Sequence, residues 1–290
     1  MCKLELKANY LSVRQHNSVN RILIDEIDTL IIETPMVSLT VALLIELTQK
    51  KVNVIFCDNQ HNPHSVAHSL YGSHNTSDRV RQQVKWHQIS KDSVWKKIVE
   101  RKIYHQKEVL KHFGLEQYKM LEDYMSDVED GDSTNREGHA AKVYFNAAFG
   151  KDFSRKDDRI ENACLNYGYS ILLSLISREI VSLGCITQLG IHHDNQFNPF
   201  NLACDFMEPI RPLIDYIVIK NSWADMNAEA KNEIVSFVNY KVSITSQSQF
   251  LTNAVRIYCK SLIDVLAEEE GKEINFINYE LQNYENNCNV

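Results

Sequence analysis

The hydrophobic pattern changes its period once, near residue 65. Before that point, short β-branched runs alternate with turn residues, which is typical of strands joined by tight loops. The runs lie at residues 10–13, 20–24, 29–33 and 52–57. Between the last two, apolar residues recur at helical spacing within 38–50. We therefore expect this part of the chain to be strand-rich with one helix.

After residue 78 the pattern is helical almost to the end. The sequence predicts an α+β fold with a small N-terminal β-rich domain (1–64), a linker (65–78) and a larger all-α domain (79–290) that ends in an acidic tail. The boundary is rich in His, Ser, Asn and Gly, as linkers are. His61, His64, His68 and His74 lie in or beside it, but no Cys stands at ligand spacing and Pro63 interrupts any helical face. A polar linker is favoured over metal or phosphate contacts.

Composition is that of an ordinary globular protein. The 290 residues are 44% hydrophobic and 24% charged. The seven cysteines form an odd set with no Cys-x-x-Cys pair, and the N-terminus lacks a cationic region leading into an apolar one. These features predict a reduced, cytoplasmic protein, and we expect no membrane helix.

The net charge of −7 is spread unevenly. Residues 79–107 carry nine basic and two acidic side chains, a local charge of +7, whereas 108–133 and 264–290 each carry −6. Without these acidic blocks the remaining chain is basic, by +5. A Lys/Arg-rich helix face suits a phosphate backbone, because neutralised phosphates release counterions. A solvated helix face with no partner is the alternative, and charge alone favours it.

Residues 133–150 predict a helix of about four turns that ends at a Gly. Glu137 stands near its start, three residues after Thr134. This spacing is that of a capping box, which would give Glu137 a purely structural role. On this segment alone the cap is the favoured interpretation.

A second polar region lies at 189–212, where His192, His193 and several amides separate two apolar segments. Asp205 and Glu208 follow, three residues apart. Two carboxylates and one imidazole can hold a hard divalent cation when water and a substrate phosphate complete the shell. Glu137, one of the two histidines and Glu208 could supply such a set.

Four motifs taken together resemble the CRISPR-associated spacer-acquisition integrase, the universal adaptation endonuclease. They are Asn-Arg-Glu-Gly-His-Ala-Ala-Lys-x-Tyr-Phe at 135–145, Leu-Asn-Tyr-Gly-Tyr at 165–169, Leu-Gly-Ile-His-His at 189–193 and Asp-Phe-Met-Glu-Pro-x-Arg-Pro at 205–212. Their order and spacing agree over nearly the whole chain. The Asn-Gln-Phe-Asn run at 195–198 resembles the type II branch most closely.

The resemblance implies a metal-dependent DNA endonuclease and integrase that inserts spacer DNA into a CRISPR array. A DNA 3′-hydroxyl would attack a phosphodiester at the repeat boundary. Glu137, His193 and Glu208 would be both the catalytic residues and the ligands of Mg²⁺ or Mn²⁺, and Asp205 would be an accessory acid. This reading replaces the capping role of Glu137. Many relatives carry Asp at position 208, so the longer Glu side chain is a departure from the family pattern.

Basic and polar residues of the helical domain are the candidates for DNA contacts. They are Arg79, Arg81, Lys85, Arg136, Lys142, Arg155, Lys156, Asn162, Asn166, Tyr167 and Arg211. For Tyr167, a place in the aromatic core is an equal alternative.

The resemblance also implies partners. These are double-stranded DNA (prespacer and CRISPR repeat), a second copy of the chain joined through the N-terminal domain, and a small ferredoxin-like adaptation subunit that completes a heterohexamer. The type II effector nuclease and an accessory DNA-binding ring protein are further candidates. Two other classes stay open at this point: a non-catalytic nucleic-acid-binding scaffold and a metal-dependent phosphodiesterase for other substrates.

Overall fold

The computed structural model describes residues 2–15, 18–67, 69 and 73–284. It has an N-terminal part built from two small sheets and a larger, mostly helical part, as the sequence predicts. His68 and Cys288, which entered the sequence argument, lie outside the described residues. No helix within the described ranges is long and apolar enough to cross a membrane.

The N-terminal part contains seven strands and one helix within its described residues. These are β1 (Cys2–Lys7), β2 (Tyr10–Gln15), β3 (Ser18–Leu23), β4 (Thr29–Ile32), β5 (Val37–Leu39), α1 (Val41–Gln49), β6 (Asn53–Cys57) and β7 (Pro63–Ala67). One sheet has the order β3-β2-β1-β5 and the other has the order β4-β6-β7. The hydroxyl of Thr40 caps α1 by accepting from the Leu43 N–H, and Leu43 and Leu47 bury the inner face of α1 against the strands.

The helical part begins at α2 inside the segment predicted as a linker, and β7 occupies residues at the start of that segment. Its helices are α2 (Thr76–Val84), α3 (Gln88–His112), α4 (Tyr118–Ser126), α5 (Arg136–Phe149), α6 (Ile160–Ser182), α7 (Asn201–Met207), α8 (Arg211–Asn221), α9 (Ala228–Val235) and α10 (Leu251–Leu266). The expectation of an all-α part needs one correction. A hairpin of β8 (Lys241–Ile244) and β9 (Gln247–Phe250) stands before α10.

Helix α6 is the centre of this part. It is buried along most of its length, and α7, α8, α9 and α10 pack around it. Gly168 lets α6 and α8 approach each other closely, because a Cβ at this position would lie 2.6 Å from a methyl of Ile214 in α8. Helix α3 packs on the other side against α4, α5, α8 and α10. The site described below lies between α3, α5 and the segment that joins α7 to α8.

The two parts of the molecule share contacts through α6. Asn53 donates a hydrogen bond to the Ser174 hydroxyl at 2.9 Å, and Arg178 binds the Asp28 carboxylate at 3.1 Å. Both Asn53 and Arg178 are buried. The β-rich part is therefore attached to the central helix by directed polar contacts as well as by apolar packing.

Candidate functional site

Glu137 enters the site from the first turn of α5, and a different acid caps that helix. The Asp132 carboxylate accepts hydrogen bonds from the Arg136 N–H at 2.7 Å and the Glu137 N–H at 3.0 Å. The Thr134 hydroxyl is buried and makes no hydrogen bond. The predicted capping box is wrong, because Asp132 already satisfies these donors. The Glu137 side chain is left for another role.

Glu208 stands where α7 ends in a short 3₁₀ turn, Glu208–Ile210. Pro209 and Pro212 both follow within one turn, which re-directs the chain into α8. His105 of α3 holds the turn by donating from Nδ1 to the Pro209 carbonyl at 2.6 Å. Burial lowers the pKa of His105 to about 3, so the ring is neutral. The Glu208 carboxylate is thereby fixed in the interior, 4% exposed.

The two glutamates converge on Lys102 of α3. Its ammonium lies 2.5 Å from Glu137 Oε1 and 2.5 Å from Glu208 Oε2. Burial opposes the charge on Lys102, but Glu208 and Glu137 outweigh burial and raise its pKa above the ordinary value. Burial likewise opposes ionisation of Glu208, and Arg211 and Lys102 together lower its pKa. Arg211 Nε reaches Glu208 Oε1 at 2.8 Å. The site is an ionised cluster of two carboxylates and two cations.

His193 is oriented by Asp205 of α7. The fully buried Asp205 carboxylate accepts from the backbone N–H groups of Ile191, His192 and His193 and from His193 Nδ1 at 2.6 Å. This hydrogen bond raises the pKa of His193 above its ordinary value. In the neutral ring, a proton held on Nδ1 leaves the lone pair on Nε2, as metal-ligating histidines require.

The loop that carries His193 depends on a glycine. A Cβ at Gly190 would lie 2.2 Å from the His193 carbonyl oxygen and 2.7 Å from Asp205 Oδ2. On the outer side, the His192 ring stacks on Trp95 with centroids 4.2 Å apart, and His193 meets Trp95 edge-on. His192 therefore packs against Trp95 of α3.

The donor set fits a hard divalent cation, but the three proposed ligands do not form a closed cluster. Within the described residues, no three His, Cys, Asp or Glu side chains stand together as a metal-sized group. Two carboxylate oxygens from separate elements nonetheless contact one buried cation, Lys102. His193 lies near enough to Glu208 to help lower the pKa of that carboxyl group. Carboxylate oxygens with one imidazole suit Mg²⁺ or Mn²⁺.

The candidate DNA-contact residues fall into separate groups. Arg155 donates to the Asn162 and Asn166 side chains at 2.5 and 2.6 Å. Asn162 is buried and its amide also bonds the carbonyls of Ser154 and Asp157, so it fastens the 154–157 loop to α6. Tyr167 is buried beneath the Lys231 ammonium. Asn166 is exposed on the same helix.

Apart from Arg211, which contacts Glu208, the remaining candidates lie on two helices and one loop. Arg81 and Lys85 are exposed at α2, Lys142 is exposed on α5, and Lys156 is exposed in the 154–157 loop. Arg79 pairs with Glu269 at 3.7 Å, and Arg136 approaches Asp127 at 3.9 Å. A cavity of about 430 Å³ opens between the end of α2 and His193, and Lys91 lines it. Gln83 and Val84, at the end of α2, line this cavity together with His192 and His193.

Sequence reasoning missed Lys102 as a site residue, because it counted only toward the basic run. The sequence nevertheless contains a signal that Lys102 is buried. Lys102 follows Ile98 by four residues and precedes Val109 by seven, which places it on the apolar face of α3. A lysine on a buried helix face requires a partner charge.

Comparisons with known proteins agree with this architecture. Residues 1–233 match the family described as CRISPR associated protein Cas1. The chain is 32% identical over 251 residues to the CRISPR-associated endonuclease Cas1 of Neisseria meningitidis, covering 84% of this chain and 83% of the relative. That similarity is consistent with the type II branch.

Two solved structures share the fold. A casposase bound to integration product superposes with a TM-score of 0.74 at 21% identity, covering 93% of this chain and 89% of the other. A Cas1 protein from Thermotoga maritima has a TM-score of 0.70 at 16% identity, covering 94% and 95%. At these identities the likeness establishes the α+β fold alone.

Proposed function

The chain belongs to the CRISPR-associated Cas1 family, and from that premise we propose that it is a metal-dependent DNA endonuclease and integrase that inserts spacer DNA into a CRISPR array. One observation carries the proposal. The carboxylates of Glu137 and Glu208, which lie 71 positions apart in the chain, converge on one buried cation beside a histidine that Asp205 orients.

Glu137, His193 and Glu208 would hold Mg²⁺ or Mn²⁺. Such an ion, when bound, neutralises the scissile phosphate and lowers the pKa of an attacking or leaving oxygen. The residues of the chain would bind the ion and orient its ligands. Asp205 keeps the proton of His193 on Nδ1, and His105 and the prolines fix Glu208. Arg211, ion-paired with Glu208, is the candidate cation for a phosphate oxygen.

Known relatives support DNA and protein partners. One solved neighbour is a casposase bound to integration product, and another is a Cas6-RT-Cas1–Cas2 complex, with a TM-score of 0.68 at 18% identity over 92% of this chain. For this chain we propose double-stranded DNA, a second copy of itself, and a small ferredoxin-like subunit in a heterohexamer. The type II effector nuclease and the accessory ring protein are proposed only as further partners.

The test is strand transfer on a supercoiled plasmid that carries a CRISPR repeat. The purified chain and its small partner are incubated with prespacer DNA and Mg²⁺ or Mn²⁺. Glu137→Gln, His193→Ala and Glu208→Gln are each expected to lower integration by at least about 100-fold, because each removes one metal ligand. Glu116→Gln, an exposed glutamate, is the matched control.

Undiminished integration by Glu137→Gln and Glu208→Gln would contradict the assigned site. Wild-type protein that binds repeat DNA but transfers no strand with either metal would favour the non-catalytic scaffold. Cleavage of small phosphodiesters without any strand transfer would favour a hydrolase for other substrates.

A further inference from the structure

Lys102 occupies the position that joins the two glutamates of the site. It lies near the middle of α3, is 8% exposed, and reaches one oxygen of each carboxylate at 2.5 Å. Glu137 belongs to α5 and Glu208 to the turn after α7, so α3 supplies the ammonium that contacts one carboxylate from each of these two elements. The ammonium is a contact that all three elements share.

Two ionised carboxylates that both lie within 2.5 Å of one nitrogen would repel each other in a buried site if that nitrogen carried no charge. Arg211 contacts the other oxygen of Glu208, so it leaves the oxygens facing Lys102 to that ammonium. A hard divalent cation would take carboxylate oxygens as ligands, and Lys102 already contacts one oxygen of each glutamate. The two cations would use the same oxygens.

We propose that Lys102 is the resident counter-ion of the metal site: its ammonium holds Glu137 and Glu208 together in the metal-free protein and competes with the divalent cation for their oxygens. The inference rests on the proposed metal site. Lysine suits this role because its ammonium is a compact charge on a flexible four-carbon stem, which lets it withdraw when the ion enters. Lys102 is thus a positioning residue that sets metal affinity.

The experiment measures Mn²⁺ affinity of the DNA-free protein by titration calorimetry at one pH, together with the melting temperature of the metal-free protein. Lys102→Met keeps an unbranched side chain that is one atom shorter and removes the competing charge. We expect Mn²⁺ to bind about tenfold more tightly, a common size for coupling between two ligands. We also expect the metal-free variant to melt at a lower temperature and to be stabilised more by Mn²⁺ than wild type.

Three further variants make the result specific. Lys102→Arg keeps the cation and is expected not to tighten binding. Lys91→Met removes a lysine that lines the cavity beside His193, and an equal gain there would assign the effect to general charge and overturn the proposal. If Lys102→Met does not fold without metal, Lys102→Gln carries the same measurement, because its amide can still donate to one carboxylate.

Mn²⁺ affinity that is unchanged or weaker in the neutral Lys102 variants overturns the inference. The failure of the proposed function has a different signature. If wild-type protein binds Mn²⁺ without dependence on Glu137 and Glu208, the metal site itself is wrong. If binding depends on both glutamates and neutral Lys102 variants do not tighten it, only the competition is wrong.

Discussion

Asp205 is the residue whose hydrogen bonds set the state of His193. It receives four hydrogen bonds, three from consecutive backbone N–H groups and one from the imidazole. Because all four partners are donors, only a group that accepts on both oxygens satisfies them. Asp205 therefore fixes the loop and the imidazole tautomer together.

The variant Asp205→Asn tests whether this carboxylate fixes the loop and the His193 tautomer. The amide NH₂ of Asn would face N–H donors, so the His193 ring or the loop must move. We expect Asp205→Asn to lower both strand transfer and Mn²⁺ affinity about 10- to 100-fold, the usual effect of losing an orienting partner of a metal ligand. Asp194→Asn, an exposed change beside His193, is the control. Equal behaviour of the two variants would contradict this role.

Asp215 gives the molecule a pH dependence of stability outside the metal site. Its carboxyl group is buried, accepts a hydrogen bond from the Tyr169 hydroxyl, and has its pKa raised by burial from 3.8 to about 6. Between pH 3.8 and about 6, the Asp215 carboxyl group therefore keeps its proton in the folded state and loses it in the unfolded chain. The stabilising contribution is complete below pH 3.8 and is lost as the pH rises through about 6.

Asp215→Asn does not ionise, so it escapes this loss. Relative to wild type, the variant should gain about 3 kcal/mol in free energy of unfolding as the pH rises from about 3 to 7, since one pKa unit corresponds to about 1.4 kcal/mol. Urea unfolding at several pH values provides the comparison. Parallel pH profiles for the two proteins would show that Asp215 ionises freely in the folded state.

At the scale of elements, sequence periodicity predicted helices and strands better than their ends or roles. The helix at 133–150 is confirmed as α5, which ends before Gly150, a residue with a φ of 100°. Its cap was predicted wrongly, because Asp132 lies five residues before Glu137 and no short capping motif reaches that far. The capping acid, Asp132, is the last residue of a 3₁₀ turn that precedes the helix, and helical periodicity does not describe that turn.

Helix α3 shows why charge counting along the chain misleads. It contains Lys102 and His105 on its buried face and the exposed Lys97 on another. Adding these charges gives one basic stretch, but the helix divides them between a site and a surface. The ligand set Glu137, His193 and Glu208 came from the family resemblance, and Lys102, which no quoted motif contains, was missed.

At the scale of the whole molecule, strand pairing could not be read from the sequence. Strand β1 pairs in parallel with β5, and β4 pairs in parallel with β6, so each pairing joins segments separated by a helix or by other strands. Periodicity identifies a strand by its two faces and carries no information on its neighbour. The role of this part in dimerisation stays a prediction.

Folding also brings the acidic blocks against the basic stretch. Lys96 approaches Asp130 at 3.8 Å, and Lys107 approaches Glu122 at 3.4 Å. From the C-terminal acidic block, Glu269 pairs with Arg79 and Glu268 accepts from Ser90. The local charge of +7 therefore overstates the cations that are available to DNA, and Arg81, Lys85 and Lys97 are the exposed ones.

Salt dependence of DNA binding measures how many cations meet phosphates. Arg81→Gln and Lys85→Gln should each reduce the slope of log K against log salt by about 1 and weaken binding to all duplex sequences alike. Lys107→Gln is the matched control, because that lysine already lies beside Glu108 and Glu122. Fluorescence anisotropy with a labelled duplex between about 50 and 200 mM NaCl gives the slopes.

If Lys107→Gln lowers the slope as much as the α2 variants do, DNA crosses the ion pairs along α3, and the acidic partners of those pairs must be displaced on binding. If none of the three changes the slope, the phosphate path lies away from this end of the molecule.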